Sequence, residues 1–123
     1  MKICTVCKNN KIEFREITDN GELSDTLIFF LKNKYQANKF EKIYSQKGYP
    51  IKNLPNAIDW HFAGTWKHMF KHTKKHSKNW KYAWSKSEKI LERSISIPIL
   101  IKEKRSEIIK KGKLINYILD KYL

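Results

Sequence analysis

Apolar and polar residues alternate from Ile12 to Ile17: Ile12, Phe14 and Glu16 take one side, and Glu13, Arg15 and Ile17 the other. This is an imperfect strand of period two. Asp19-Asn20-Gly21 follows, three residues that tolerate positive φ, so the chain can reverse there. The run Asp25-Thr26-Leu27-Ile28-Phe29-Phe30-Leu31 is rich in strand formers and apolar on both faces. It predicts a central, buried strand with the first strand beside it as an antiparallel neighbour. The period then becomes helical. Ala37, Phe40, Ile43 and Tyr44 recur three and four apart and predict a helix over 34–47, with Asn33 as its N-cap and Gly48 as its stop.

Tyr49 to Pro55 contains two prolines, which push their preceding residues out of the helical region and predict an extended segment or loop. A short helix fits the spacing from Thr65 to Lys74, against a strongly polar and basic content. Ser85-Lys86-Ser87-Glu88 has the form of a capping box, opening a helix that carries Ile90, Leu91 and Ile95. Ile95, Ile97, Ile99 and Ile101 alternate as a third strand, and Pro98 within it suits an edge position or a bulge. From Glu103 to Tyr122 the pattern is an amphipathic helix with Ile108, Ile115, Ile118, Leu119 and Tyr122 on one stripe. Gly112 weakens it by about 1 kcal/mol relative to alanine. There is no internal repeat and no low-complexity linker. Strands and helices mix without strict β-α-β alternation, so the expected class is α+β: a small, mostly antiparallel sheet of about three strands with helices packed on it.

The 123 residues suffice for a single domain, 1–123, with one core. A content of 41% hydrophobic and 13% aromatic residues excludes a disordered basic tail. The longest apolar runs are too short to span a bilayer, and the N-terminus has no apolar signal region, so neither membrane insertion nor secretion is expected. Both cysteines lie within the first seven residues, too few for a disulfide framework, which points to the reducing cytoplasm. The net charge of +14 says less than its size suggests. Of the 26 basic residues 23 are lysine, and lysine, isoleucine and asparagine together make up 48 of the 123, the bias of an AT-rich genome. Lysine gives a point charge where arginine gives a two-pronged grip on phosphate, so the charge implies only weak attraction to polyanions.

One segment stands apart. All four tryptophans (Trp60, Trp66, Trp80, Trp84) and all four histidines (His61, His68, His72, His76) fall between residues 60 and 84. No acidic residue occurs between Asp59 and Glu88, where seven lysines do. Rings with polar handles, set among cations, suit an anionic, ring-containing ligand or another chain; ordinary core tryptophans and surface histidines are the plainer reading. His68, His72 and His76 share helical spacing. Yet no carboxylate or cysteine accompanies them, and four lysines between residues 71 and 78 repel a cation, so no metal site is expected. Cys4-Thr5-Val6-Cys7 is half of a zinc knuckle with no second half. Trp66-Lys67 and Trp80-Lys81-Tyr82-Ala83-Trp84 interleave aromatics with lysine, as single-stranded nucleic-acid binders do, and a nucleic-acid-binding module is the rival function. Nucleophilic triads, glycine-rich phosphate loops and suitably spaced carboxylate pairs are all missing, so no catalytic residue is assigned.

Several blocks occur in a telling order: Asp25 to Leu31, a helix with Ala37 and Phe40, Lys52-Asn53-Leu54-Pro55-Asn56-Ala57, Asp59-Trp60-His61-Phe62-Ala63-Gly64-Thr65-Trp66-Lys67-His68-Met69, and Ser94-Ile95-Ser96-Ile97-Pro98-Ile99. From about Ile12 to its end the chain resembles the C-terminal, small domain of the DegT/DnrJ/EryC1/StrS aminotransferases. These are pyridoxal-phosphate enzymes of fold type I that aminate sugars. The tryptophan–histidine segment is most similar to the branch acting on an eight-carbon keto sugar acid of the 8-amino-3,8-dideoxyoctulosonate type. The resemblance implies a detached or truncated small domain that touches substrate through Trp60, His61, Trp66 and His68. It also implies that the Schiff-base lysine, the pyridinium partner and most phosphate-binding groups belong to a large domain this chain does not contain. The chain alone is then expected to bind no pyridoxal phosphate and to work with the large domain or a second subunit, in the sugar chemistry that serves lipopolysaccharide.

Overall fold

The computed structural model describes residues 8–16, 25–53, 62–70 and 83–123. The expected turn at Asp19-Asn20-Gly21 lies outside these residues, as does Ile17. Strand β1 is Glu13–Phe14 and β2 is Thr26–Phe30. Helix α1 is Lys34–Gln46, and β3 is Lys52–Asn53. A 3-10 segment occupies Ala63–Phe70. Helix α2 is Ser85–Leu91, β4 is Ser94–Pro98 and α3 is Arg105–Tyr122. The class is α+β, with one antiparallel sheet in the order β1-β2-β4-β3.

The central pair is β2 and β4, joined over their full length with Leu27 opposite Ile97 and Phe29 opposite Ile95. Alternation puts these four on one face, where all are buried, while Thr26, Ile28, Phe30 and Ser96 take the other face half-buried. Helix α1 brings Ala37, Phe40 and Tyr44 to the buried side, and α3 brings Ile115, Ile118 and Leu119 into the same core. The Phe40 ring meets Phe29 edge-on at 5.4 Å and stacks on Tyr44 at 5.5 Å. Helix α1 starts where the sequence signals it: Asn33 Oδ1 accepts the Gln36 N–H at 3.0 Å, and Gln36 Oε1 accepts from the Lys32 N–H at 3.3 Å. It stops at Gly48, whose φ of 81° is open to glycine and strained for other residues.

Three expectations are corrected. First, β4 is an inner strand between β2 and β3; Pro98 is tolerated because it ends the strand, two residues beyond Ser96, the last residue β3 pairs with. The isoleucine alternation therefore stops short: Ile99 is half-buried, and Leu100 and Ile101 sit exposed in a turn. Second, Ser85 does not cap α2. Trp84 holds the N-cap place without a side-chain capping bond to the helix, and Ser85 is already inside the helix. Ile95 belongs to β4, and α2 buries none of its own residues. Third, the strand expected from Ile12 to Ile17 is only Glu13–Phe14, because the ladder to β2 ends at the Phe14–Phe29 pair and Arg15 and Glu16 are exposed. The extended segment expected after Gly48 includes β3, paired to Ile95 and Ser96.

Arg93 ties the sheet together at its β1 end. Its Nη1 donates to the Leu31 carbonyl at 3.0 Å, its Nη2 donates to Glu13 Oε2 at 3.0 Å, and its guanidinium lies 5.3 Å from the centre of the Phe30 ring. Ser94 is fully buried because its Oγ donates to the Ile90 carbonyl at 2.7 Å, which fastens α2 to the start of β4.

Candidate substrate-contact segment

Of the four residues singled out from the sequence, the structure describes Trp66 and His68; Trp60 and His61 lie outside the described residues, as do His72, His76 and Trp80. Trp66 and His68 share the segment Ala63–Phe70, a 3-10 stretch where a short helix was expected from Thr65 onward. The segment is not straight. Trp66 has φ −88° and ψ 19°, outside the helical range, and forms a kink in the middle.

The residues ahead of the kink explain it. Phe62 is buried, and its carbonyl accepts two bonds from one residue: the Thr65 N–H at 3.1 Å and the Thr65 Oγ1 hydroxyl at 2.8 Å. A hydroxyl that bonds back three residues competes with the helical ladder and bends the chain at that point. Gly64 is required for a different reason. A Cβ there would lie 2.6 Å from Phe62 Cζ and closer still to Cε1, so the buried ring occupies the space a side chain needs. The segment is thus pinned at its start by one buried ring and one doubly used carbonyl.

Beyond the pin the surface opens. Trp66 is half-buried, while His68 and Met69 are exposed. Trp84, at the entrance to α2, is also partly exposed. An imidazole can donate to or accept from a hydroxyl or carboxylate, and an indole supplies an apolar wall with one N–H donor. Each of these groups suits contact with a polar, ring-shaped ligand. Phe62, Gly64 and Thr65 carry no assigned role in the sequence reading; the signal for them is a small residue and a hydroxyl residue placed between two aromatics.

Among the described residues no group of three His, Cys, Asp or Glu side chains could hold a metal ion. His72, His76, Cys4 and Cys7 lie outside them, and so does most of the interleaved run Trp80 to Trp84. No helix among the described residues is long and apolar enough to cross a membrane. No family model and no curated protein matches the chain in sequence.

Proposed function

We propose that the chain is the small domain of a pyridoxal-phosphate-dependent sugar aminotransferase of the DegT/DnrJ/EryC1/StrS kind. In this reading it offers binding groups to a keto-sugar substrate and leaves the chemistry to a large domain or second subunit, in the cytoplasm. The observation that carries the reading is the ordered set of blocks the resemblance rests on. Three of them, 25–31, 52–57 and 94–99, contain β2, β3 and β4, which lie side by side in the order β2-β4-β3, so blocks far apart in sequence share one structural unit. The fourth, 59–69, supplies the kinked segment with Trp66 and His68.

Within that proposal Trp66 is a wall for the sugar ring, and His68 is a donor to a hydroxyl or carboxylate. Trp60 and His61 join them through the resemblance alone. The lysine-rich, acid-free stretch from Trp60 to Ser87 favours a sugar acid over a neutral sugar. Pyridoxal phosphate, when bound, supplies an electron sink. The described residues do not fit that group. The one buried lysine among them, Lys111, is paired with Glu103 and donates to the Pro98 carbonyl, so its amine is held by the fold and faces no open site for a cofactor.

The test is direct. The purified chain is mixed with an eight-carbon 3-deoxy-2-keto sugar acid and followed by saturation-transfer NMR, with single-stranded DNA as the competing probe. Saturation transfer to the sugar that weakens in W66A and H68A is the expected result. Salt-sensitive DNA binding without sugar contact would favour the nucleic-acid module instead. Borohydride reduction in the presence of pyridoxal phosphate is expected to leave no stoichiometric adduct on a single lysine. Amino transfer by the chain unaided would overturn the reading.

A further inference from the structure

We infer that Thr65 is the positioning residue of the Trp66–His68 pair: its hydroxyl, shared with its own N–H on the Phe62 carbonyl, sets the kink that fixes where the indole and imidazole stand. The ligand half of this inference rests on the sugar-acid reading above; the geometric half does not.

Three observations converge on Thr65. The backbone turn Phe62–Thr65 is already closed by an N–H bond, so the hydroxyl bond at 2.8 Å is additional to what the turn needs. The kink at Trp66 comes immediately after that second bond. The acceptor cannot drift to accommodate it, because the Phe62 side chain is buried and fills the space over Gly64. A carbonyl anchored by its own buried ring and drawn on twice by one residue is a fixed point. The chain leaves it in one direction, delivering Trp66 half-buried and His68 exposed two residues later. An arrangement held in place before ligand arrives lowers the ordering cost of binding, which is the physical advantage of such a pedestal.

The inference separates hydroxyl from bulk. Thr65→Ser keeps the hydroxyl and loses a methyl; Thr65→Val keeps the shape and loses the hydroxyl. The readout is the Trp66 indole N–H resonance of the full chain, assigned by its disappearance in W66F, with its steady-state heteronuclear NOE as the measure of fixity. T65S is expected to match wild type. T65V is expected to move the indole resonance and lower its NOE, with circular dichroism unchanged, and T65A reads the same loss should valine crowd the turn. Binding of the keto sugar acid is expected to weaken about threefold to tenfold in T65V and to recover in T65S. An indole signal unmoved in T65V, or a T65S that behaves like T65V, overturns the assignment. Should wild type bind no sugar acid, the aminotransferase reading falls and the indole data alone decide the role of Thr65.

Discussion

Lys111 and Glu103 form an ion pair withdrawn from water, their side chains 4% and 9% exposed, across the turn that joins β4 to α3. The pair reaches outward at both ends: Lys111 Nζ donates to the Pro98 carbonyl at 3.4 Å, and the Leu100 N–H lies 3.4 Å from Glu103 Oε2. Removing one partner strands a charge where water is scarce. K111M or E103Q should each cost about 3–5 kcal/mol in a urea melt, whereas K111M combined with E103L should recover most of that loss. A double variant as unstable as the singles would show that the pair itself, beyond its mutual neutralisation, holds the turn.

Gly48 and Gly64 should both resist alanine for unlike reasons. At Gly48 nothing lies within 4 Å of an added Cβ, but φ is +81°, so G48A should cost about 1–2 kcal/mol through backbone conformation. At Gly64 the conflict is with the Phe62 ring, so G64A should cost about 1–3 kcal/mol. F62L should relieve G64A and leave G48A as it was, an outcome readable from thermal melts of the three single and two double variants.

Phe14 and Phe29 sit opposite each other in the β1–β2 register, one exposed and the other fully buried. F29A should lose about 3–5 kcal/mol, while F14A should stay within about 0.5 kcal/mol of wild type by denaturant titration.

Lys121 donates to the Tyr117 hydroxyl at 2.8 Å and lies over both the Tyr117 and Tyr122 rings. The Lys121 ammonium holds the Tyr117 phenol below its ordinary value of 10.0, and the Tyr117 hydroxyl in turn raises Lys121 above 10.5. A lowered phenol value favours the folded chain in full above 10.0, and that gain is lost as pH falls through the folded value. A raised lysine value favours the folded chain below 10.5, and that gain disappears as pH rises through its folded value. Ultraviolet titration should therefore find one tyrosine ionising early, and K121M should return it toward 10. Below 10.5 K121M should lose the lysine's contribution about equally at every pH, so the acid limb of the stability curve should keep its shape.

The two long helices and the central strands were legible because each buries a regular stripe. Ala37, Phe40 and Tyr44 repeat at helical spacing, and Leu27, Phe29 and Leu31 repeat at strand spacing, so burial and period report the same thing. Strand β3 was hidden because two residues carry no period; only its neighbour Ile95–Ser96 defines it. Lys111 was hidden because a lysine reads as a solvent position until a carboxylate eight residues earlier in sequence is found beside it. The isoleucine series ran past its strand because the pattern cannot register where Pro98 ends the pairing. In the candidate site, residue type pointed to Trp66 and His68, whereas the pedestal beneath them depends on a ring-to-glycine approach that spacing does not encode.

The sheet order also constrains how the molecule is made. As the chain leaves the ribosome, β2 emerges with only the two-residue β1 available to pair with it, while its principal partner is still some 70 codons away. Helix α1 follows at once and can lay Phe40 on Phe29, but the second edge of β2 must wait for β4, so synthesis favours an early β2–α1 contact and a late closure of the sheet.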